Sequence, residues 1–188
     1  MRKKIIGISG VLAVIFLSVI FSWNYRRINR MYPNPQLSKA KIGETVELDG
    51  YEFTFTDFQL LDGEKIKEIA GNQEEILEIP NDQYRVMLAS VHIKRIAEGE
   101  GNIDMTAVAG ECGAWKNGID SELYHTLNPE KSIIQLGFIE NQEENIIIPI
   151  SMNENQFKKG DWEQIDKKTF SIVLGVYPQK VILEGRCE

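Results

Sequence analysis

The run from Ile5 to Trp23, IIGISGVLAVIFLSVIFSW, holds nineteen residues without a charge, and Arg2, Lys3 and Lys4 stand directly before it. As a helix it extends about 28 Å at 1.5 Å per residue, close to the ~30 Å hydrocarbon core of a bilayer. Twelve of the nineteen are Ile, Leu, Val or Phe. At mid-membrane these contribute about −4 to −7 kcal/mol together, enough to cover the small penalties of the glycines and serines among them. The spacing therefore predicts an N-terminal basic tail and spanning anchor over residues 1–23. A cleaved secretory signal shares the basic start and the apolar run. Against it, Val19, Ile20 and Phe21 spoil the small-residue positions that cleavage requires, and no cysteine lies there to accept a lipid.

Orientation is less direct. Arg2, Lys3 and Lys4 on one side face Arg26, Arg27, Arg30, Lys39 and Lys41 on the other, a count that taken alone opposes an exported domain. The signal-anchor form of the segment, two cysteines and a strand-rich body favour the exported arrangement, with the domain on the extracellular side of the cell membrane. The first thirty residues carry six of the 21 basic side chains and none of the 28 acidic ones, which leaves fifteen bases against twenty-eight acids in the remainder. So acidic a body excludes nucleic acid and an anionic lipid surface as its partners.

Residues 24–43 read as a juxtamembrane linker. Trp23, Tyr25 and Tyr32 suit a headgroup layer, and Pro33 and Pro35 stop a helix and favour extended chain. The domain is expected over 44–188, where the pattern turns to period two. Asp49-Gly50 is a hairpin signal before YEFTFTDFQL, whose Phe58 and Leu60 fall on the wrong parity unless a bulge sits near Thr56 and Asp57. Asp62 to Gly71 predicts a short helix capped by Asp62. Tyr84–Ile96 predicts the longest strand, central at its start and solvent-facing later. Further strands are expected at 103–109, 133–140, 145–152, 169–177 and 180–183, with Pro149 marking an edge. Asp161 and Gln164 suggest one capped helical turn.

Seven or eight short strands with brief helical pieces predict a mainly β, antiparallel sandwich of immunoglobulin type behind the N-terminal helix. The order SVHIK, NIDM, GAWKNGID, LYHTLN, QFKKGDWEQI and LGVYP is similar to uncharacterised membrane- or lipid-anchored proteins of Gram-positive bacteria with an immunoglobulin-like domain of unknown function. That resemblance covers most of the chain after the linker and implies no catalytic role.

Cys112 and Cys187 are the only cysteines. In an exported domain they predict one disulfide, which would constrain the unfolded chain by about 4 kcal/mol. The competing reading pairs Cys112 with His125 as nucleophile and base of a surface hydrolase or transpeptidase. His92 and His125 are too few for a histidine metal site, and Glu98, Glu100 and Asp104 depart from the twelve-residue calcium loop, so no metal and no cofactor is expected. Trp115, Tyr124 and Trp162 could line a groove for a peptide or sugar, with core packing as the competing reading. The sequence thus points to a non-enzymatic surface module with a protein or peptide partner, accessory to a membrane complex or to self-protection.

Overall fold

The computed structural model describes the backbone of residues 2–70 and 81–186, with side chains from 14 to 69 and from 82 to 186. The chain divides into two compact units, Met1–Pro35 and Gln36–Glu188. The second unit starts at Gln36, eight residues earlier than the sequence pattern suggests, because a first strand, β1, lies within the expected linker.

The first unit is one helix, α1 (Arg2–Met31). It ends where Tyr32 precedes Pro33, a position whose backbone disfavours the helical region. Its described apolar residues, including Val14, Ile15, Phe16, Leu17, Val19, Ile20 and Phe21, are all exposed. Among the described residues no helix is long and apolar enough to cross a membrane. The side chains of Ile5 to Ala13, the first half of the expected span, lie outside the described residues.

The second unit is a β-sandwich. One sheet has the order β1 (Gln36–Lys41), β11 (Gln179–Arg186), β10 (Thr169–Gly175), β6 (Ala109–Cys112), β7 (Trp115–Gly118). The other has the order β2 (Thr45–Leu48), β3 (Tyr51–Asp62), β4 (Tyr84–Arg95), β9 (Glu143–Asn153). A two-stranded ribbon joins β5 (Gly101–Ile103) to β8 (Leu136–Phe138). Among the described residues all pairings are antiparallel except β1 with β11. The immunoglobulin order expected from the sequence does not describe this topology. A constant-type immunoglobulin sandwich keeps at most two consecutive strands in a sheet before crossing, whereas β2, β3 and β4 follow one another in one sheet.

The inner faces build the main core. Tyr51, Phe53 and Phe55 alternate inward, and a register shift between Phe55 and Asp57 returns Phe58 to the same side, as the parity of the sequence requires. Phe58 stacks on Phe170 at 6.0 Å and fills the space over Gly185, where a β-carbon would collide with its ring. β4 is buried on both faces over Val86 to Ala89, because α2 (Gly63–Ala70) and α3 (Ser121–Leu127) cover the outer face of the second sheet. Asp62 accepts from the Lys65 amide at the start of α2, the predicted cap. Gly71, its predicted stop, lies outside the described residues.

The outer edge of β9 is closed by side chains and loops. Asn128 accepts from the Ile147 amide at 2.8 Å and donates to the Ile147 carbonyl at 2.8 Å, so one amide side chain stands in for a neighbouring strand. Asn117 donates to the Ser151 carbonyl, and the Asp120 amide to Pro149. Asp120 also caps α3 through the Leu123 amide and accepts from the Ser151 hydroxyl, which in turn accepts from Tyr84. Such cover removes a long unpaired edge that would otherwise recruit other chains.

Three local expectations change. The strand expected over 103–109 is split between β5 and β6 by a 3₁₀ turn at Met105–Ala107, which Asp104 caps. β8 is only three residues long. The single helical turn α4 (Lys159–Trp162) starts after Lys158, placing Asp161 inside it, while a glutamine three residues on that reaches back to a cap amide is found instead at Gln156, which accepts from the Asn153 amide at 3.0 Å.

Candidate functional site

The aromatic residues singled out by sequence do not form a surface. Trp115, Tyr124 and Trp162 are all buried. Trp115 and Trp162 meet through Phe157, at 5.4 and 5.6 Å, and their indole N–H groups donate to Gln156 and to the Asp82 carbonyl. Tyr124 lies apart on the inner side of α3. All three are core, because a sandwich of this size needs its largest rings inside.

Cys112 is a free, buried thiol in the main core. Burial pushes its pKa up, with Lys168 opposing and Asp161 adding to the rise. A nucleophilic cysteine needs the opposite shift. His125 is exposed on α3 and makes no hydrogen bond to Cys112, so the pair does not form a nucleophile and base. Cys187 lies outside the described residues. The expected bridge between Cys112 and Cys187 therefore falls outside the described residues.

His92 bonds to Asn145 and approaches Glu143 on the open face of the second sheet. Glu98 and Glu100 turn their backbone carbonyls, not carboxylates, to a single acceptor-seeking group, the Arg95 guanidinium. Among the described residues no group of three or more His, Cys, Asp or Glu is placed to share a metal ion.

A different region stands out. β1 and β11 begin, and β4 and β10 finish, at one end of the sandwich, so the Asp49-Gly50 turn, the 96–108 segment, the 132–142 segment and the Val176–Pro178 turn gather there. Asp49 and Gly50 both have positive φ, at 51° and 79°, which fits the tight hairpin turn predicted for this dipeptide. A β-carbon on Gly50 would lie 2.6 Å from that of Ala97. The close approach lets the Gly50 carbonyl accept from the amides of Ile96 and Ala97 at 2.9 and 3.1 Å.

Arg95 organises the next loop. It is 8% exposed, and donates to the carbonyls of Glu98, Gly99 and Glu100 at 3.3, 2.9 and 3.0 Å. Its guanidinium carbon lies 5.0 Å from the Tyr51 ring centroid, a cation–π arrangement. Gly101 packs flat against this guanidinium and the Tyr51 hydroxyl, leaving no room for any side chain.

Beside Tyr51 opens a cleft of about 230 Å³. Leu48, Phe53, Val108 and Leu174 form its apolar walls, and Asp49, Asn102 and Asp104 its polar lining. Tyr51 is buried, and its hydroxyl has no hydrogen-bond partner. A buried hydroxyl left unpaired costs about 1–3 kcal/mol.

Exposed apolar residues gather at the same end as the cleft. Among the described residues of the sandwich, Leu37, Ile96, Ile134, Ile139, Val176 and Tyr177 are large, apolar, exposed and at this end, against Ile42 and Ile69 elsewhere. The segments 49–50, 96–108, 132–142 and 176–178 contain Asp49, Glu98, Glu100, Asp104 and Glu140 and no Lys, Arg or His. Of these loops the Asp49-Gly50 turn is legible in the sequence, whereas 103–109 and 133–140 read there as strands. The convergence of the loops is not legible, because it depends on strand order.

A family model for a domain of unknown function, DUF5028, matches residues 36–181, the span of the sandwich. The chain belongs to the DUF5028 family. No curated protein matches this DUF5028 chain in sequence. Among solved structures, a functionally unknown protein of Listeria monocytogenes is similar at a TM-score of 0.50 and 10% identity, over 77% of this chain and 82% of that one. An uncharacterised β-sandwich protein of Clostridium difficile gives 0.47 and 9%, over 81% and 97%. A Bacillus subtilis protein described as a lipoprotein gives 0.49 and 10%, over 76% of this chain. The DUF5028 chain spans only 38% of that protein's length. These likenesses concern the β-sandwich fold alone.

Proposed function

We propose that this DUF5028 protein is a membrane-anchored, non-enzymatic interaction module that works through the loop end of its sandwich, on the extracellular side. The observation that carries the reading is the segregation of exposed apolar residues to that end around an apolar cleft. Scattered surface hydrophobics are ordinary, whereas a patch gathered at one end marks a contact site. Anchoring rests on the uncharged run of Ile5–Trp23 within α1, whose described apolar residues point in all directions and need cover from water. The buried, proton-retaining thiol of Cys112 gives a hydrolase reading no nucleophile.

Photo-crosslinking in intact cells tests this. A crosslinker at Tyr177 should capture a partner, and one at Ile69, outside the loop end, should not. Equal capture at both positions, or none at Tyr177, would remove the basis for the reading. Protease added to protoplasts should digest the sandwich. Full protection would place the domain inside the cell.

A further inference from the structure

Three features of the loop end bear on what it binds. The first is size. At about 230 Å³ the cleft is smaller than the ~300–1,000 Å³ sites that enclose whole small-molecule ligands, so it suits one side chain of a larger partner. The second is charge. Every charged side chain in the loops of this end is a carboxylate, and two of them, Asp49 and Asp104, line the cleft itself. One buried cation lies nearby, Arg95, and its guanidinium donates to backbone carbonyls rather than to those carboxylates. The third is an aromatic wall. Tyr51, which lines the cleft, is 5% exposed, with its hydroxyl beside Gly101 and the Arg95 guanidinium.

We propose that the loop end receives a basic amphipathic peptide segment, with one lysine or arginine side chain in the Tyr51 cleft. This rests on the reading of the loop end as the working surface and names the chemistry of its occupant. The aliphatic stem of a Lys or Arg lies along Leu48, Val108 and Leu174, since these side chains bury their methylenes while keeping the charged head at polar groups. The head meets Asp49 and Asp104. Asp104 already holds the Thr106 amide and hydroxyl through Oδ1, at 2.9 and 2.6 Å, which leaves Oδ2 for the incoming cation. The apolar face of the segment covers Val176, Tyr177, Ile96 and Ile139.

Charge complementarity separates this occupant from the other two candidates. An anionic bilayer is repelled by five loop carboxylates against the single buried cation of Arg95, and a second copy would bring the same five carboxylates against them. A cationic segment removes that repulsion.

The test uses the full chain in phosphatidylcholine nanodiscs, with a synthetic leucine–lysine amphipathic peptide as probe. Its leucine–glutamate counterpart is the control, and binding to empty nanodiscs is subtracted. The lysine peptide should bind at least about tenfold tighter than the glutamate peptide, and the Asp49→Asn/Asp104→Asn double variant should lose about tenfold of that affinity, the equivalent of 1.4 kcal/mol. Asparagine keeps the shape and the capping oxygen, and an unchanged melting temperature shows that the variant folds. Equal binding of the two peptides, or wild-type affinity in a folded double variant, would overturn the proposal. Crosslinking at Tyr177 separates the two levels: a partner captured there without lysine-peptide binding refutes the cationic occupant alone, and failure of both refutes the interaction surface as well. Crosslinks from Tyr177 to lipid or to another copy of the chain also overturn the peptide assignment.

Discussion

Single side chains hold the parts of this molecule that have no strand partner. Asn128 is 3% exposed and serves both the amide and the carbonyl of Ile147. Replacing it with Leu leaves two buried backbone groups unpaired, so chemical denaturation should show a loss of about 2–5 kcal/mol. Gly101→Ala should be destabilising by a similar route, since the new methyl displaces the Arg95 guanidinium from the carbonyls that order the 98–100 loop. Cys112 predicts a kinetic result. With its sulfur buried and its pKa raised by burial, the thiol should resist maleimide in the folded protein and react on unfolding, as mass spectrometry would show. Rapid labelling of the native chain at Cys112 would contradict that placement.

At the scale of elements, α3 illustrates how a short helix can brace a sheet edge. Asp120 caps it and also accepts from Ser151, which links the cap to β9 and through Tyr84 to β4. Asp120→Ala should therefore cost more than the ~1 kcal/mol of an ordinary cap, and a melting curve would measure it. This helix was not legible in the sequence, where LYHTLN has no periodic apolar run long enough to declare itself. The Asp49-Gly50 turn, the bulge after Phe55 and the two-faced burial of β4 were legible, because each follows from local parity or from residues with particular backbone needs. β1 was missed because QLSKAK carries little apolar pattern and becomes a strand only by pairing with β11, far away in sequence. The same non-locality explains the site. Trp115 and Trp162 drew notice as large aromatics but are core, whereas Ile96, Ile139 and Tyr177 read as residues of expected strands, and the folded strands stop short of them and leave them in loops that strand order brings together.

For the whole molecule, the surface outside the loop end is laced with paired charges. The pKa values of Glu143, Glu144 and Asp161 are lowered by hydrogen bonds from Lys94, Lys131 and Lys168. Burial works against the charge of Glu111, but Lys180 and Lys116 overcome it and lower its pKa too. Groups with depressed values lend stability that is present above the ordinary carboxylate range and lost as pH falls through their folded values. The melting temperature should therefore be flat from neutral pH to about 5 and drop below about 4, with differential scanning fluorimetry as the measurement. The loop end has the opposite character, with carboxylates that lack bases in its loops and apolar residues that lack cover. On the proposed reading, those apolar side chains serve contact rather than folding. Changing Ile134, Ile139, Val176 and Tyr177 to Ser together should then leave stability within about 0.5 kcal/mol per site, as surface substitutions do. The decisive measurement is native-gel migration of the full chain extracted from cell membranes, wild type against this fourfold variant. The wild type should migrate within a larger species and the folded variant as free protein, whereas identical migration of the two would contradict a working surface at the loop end.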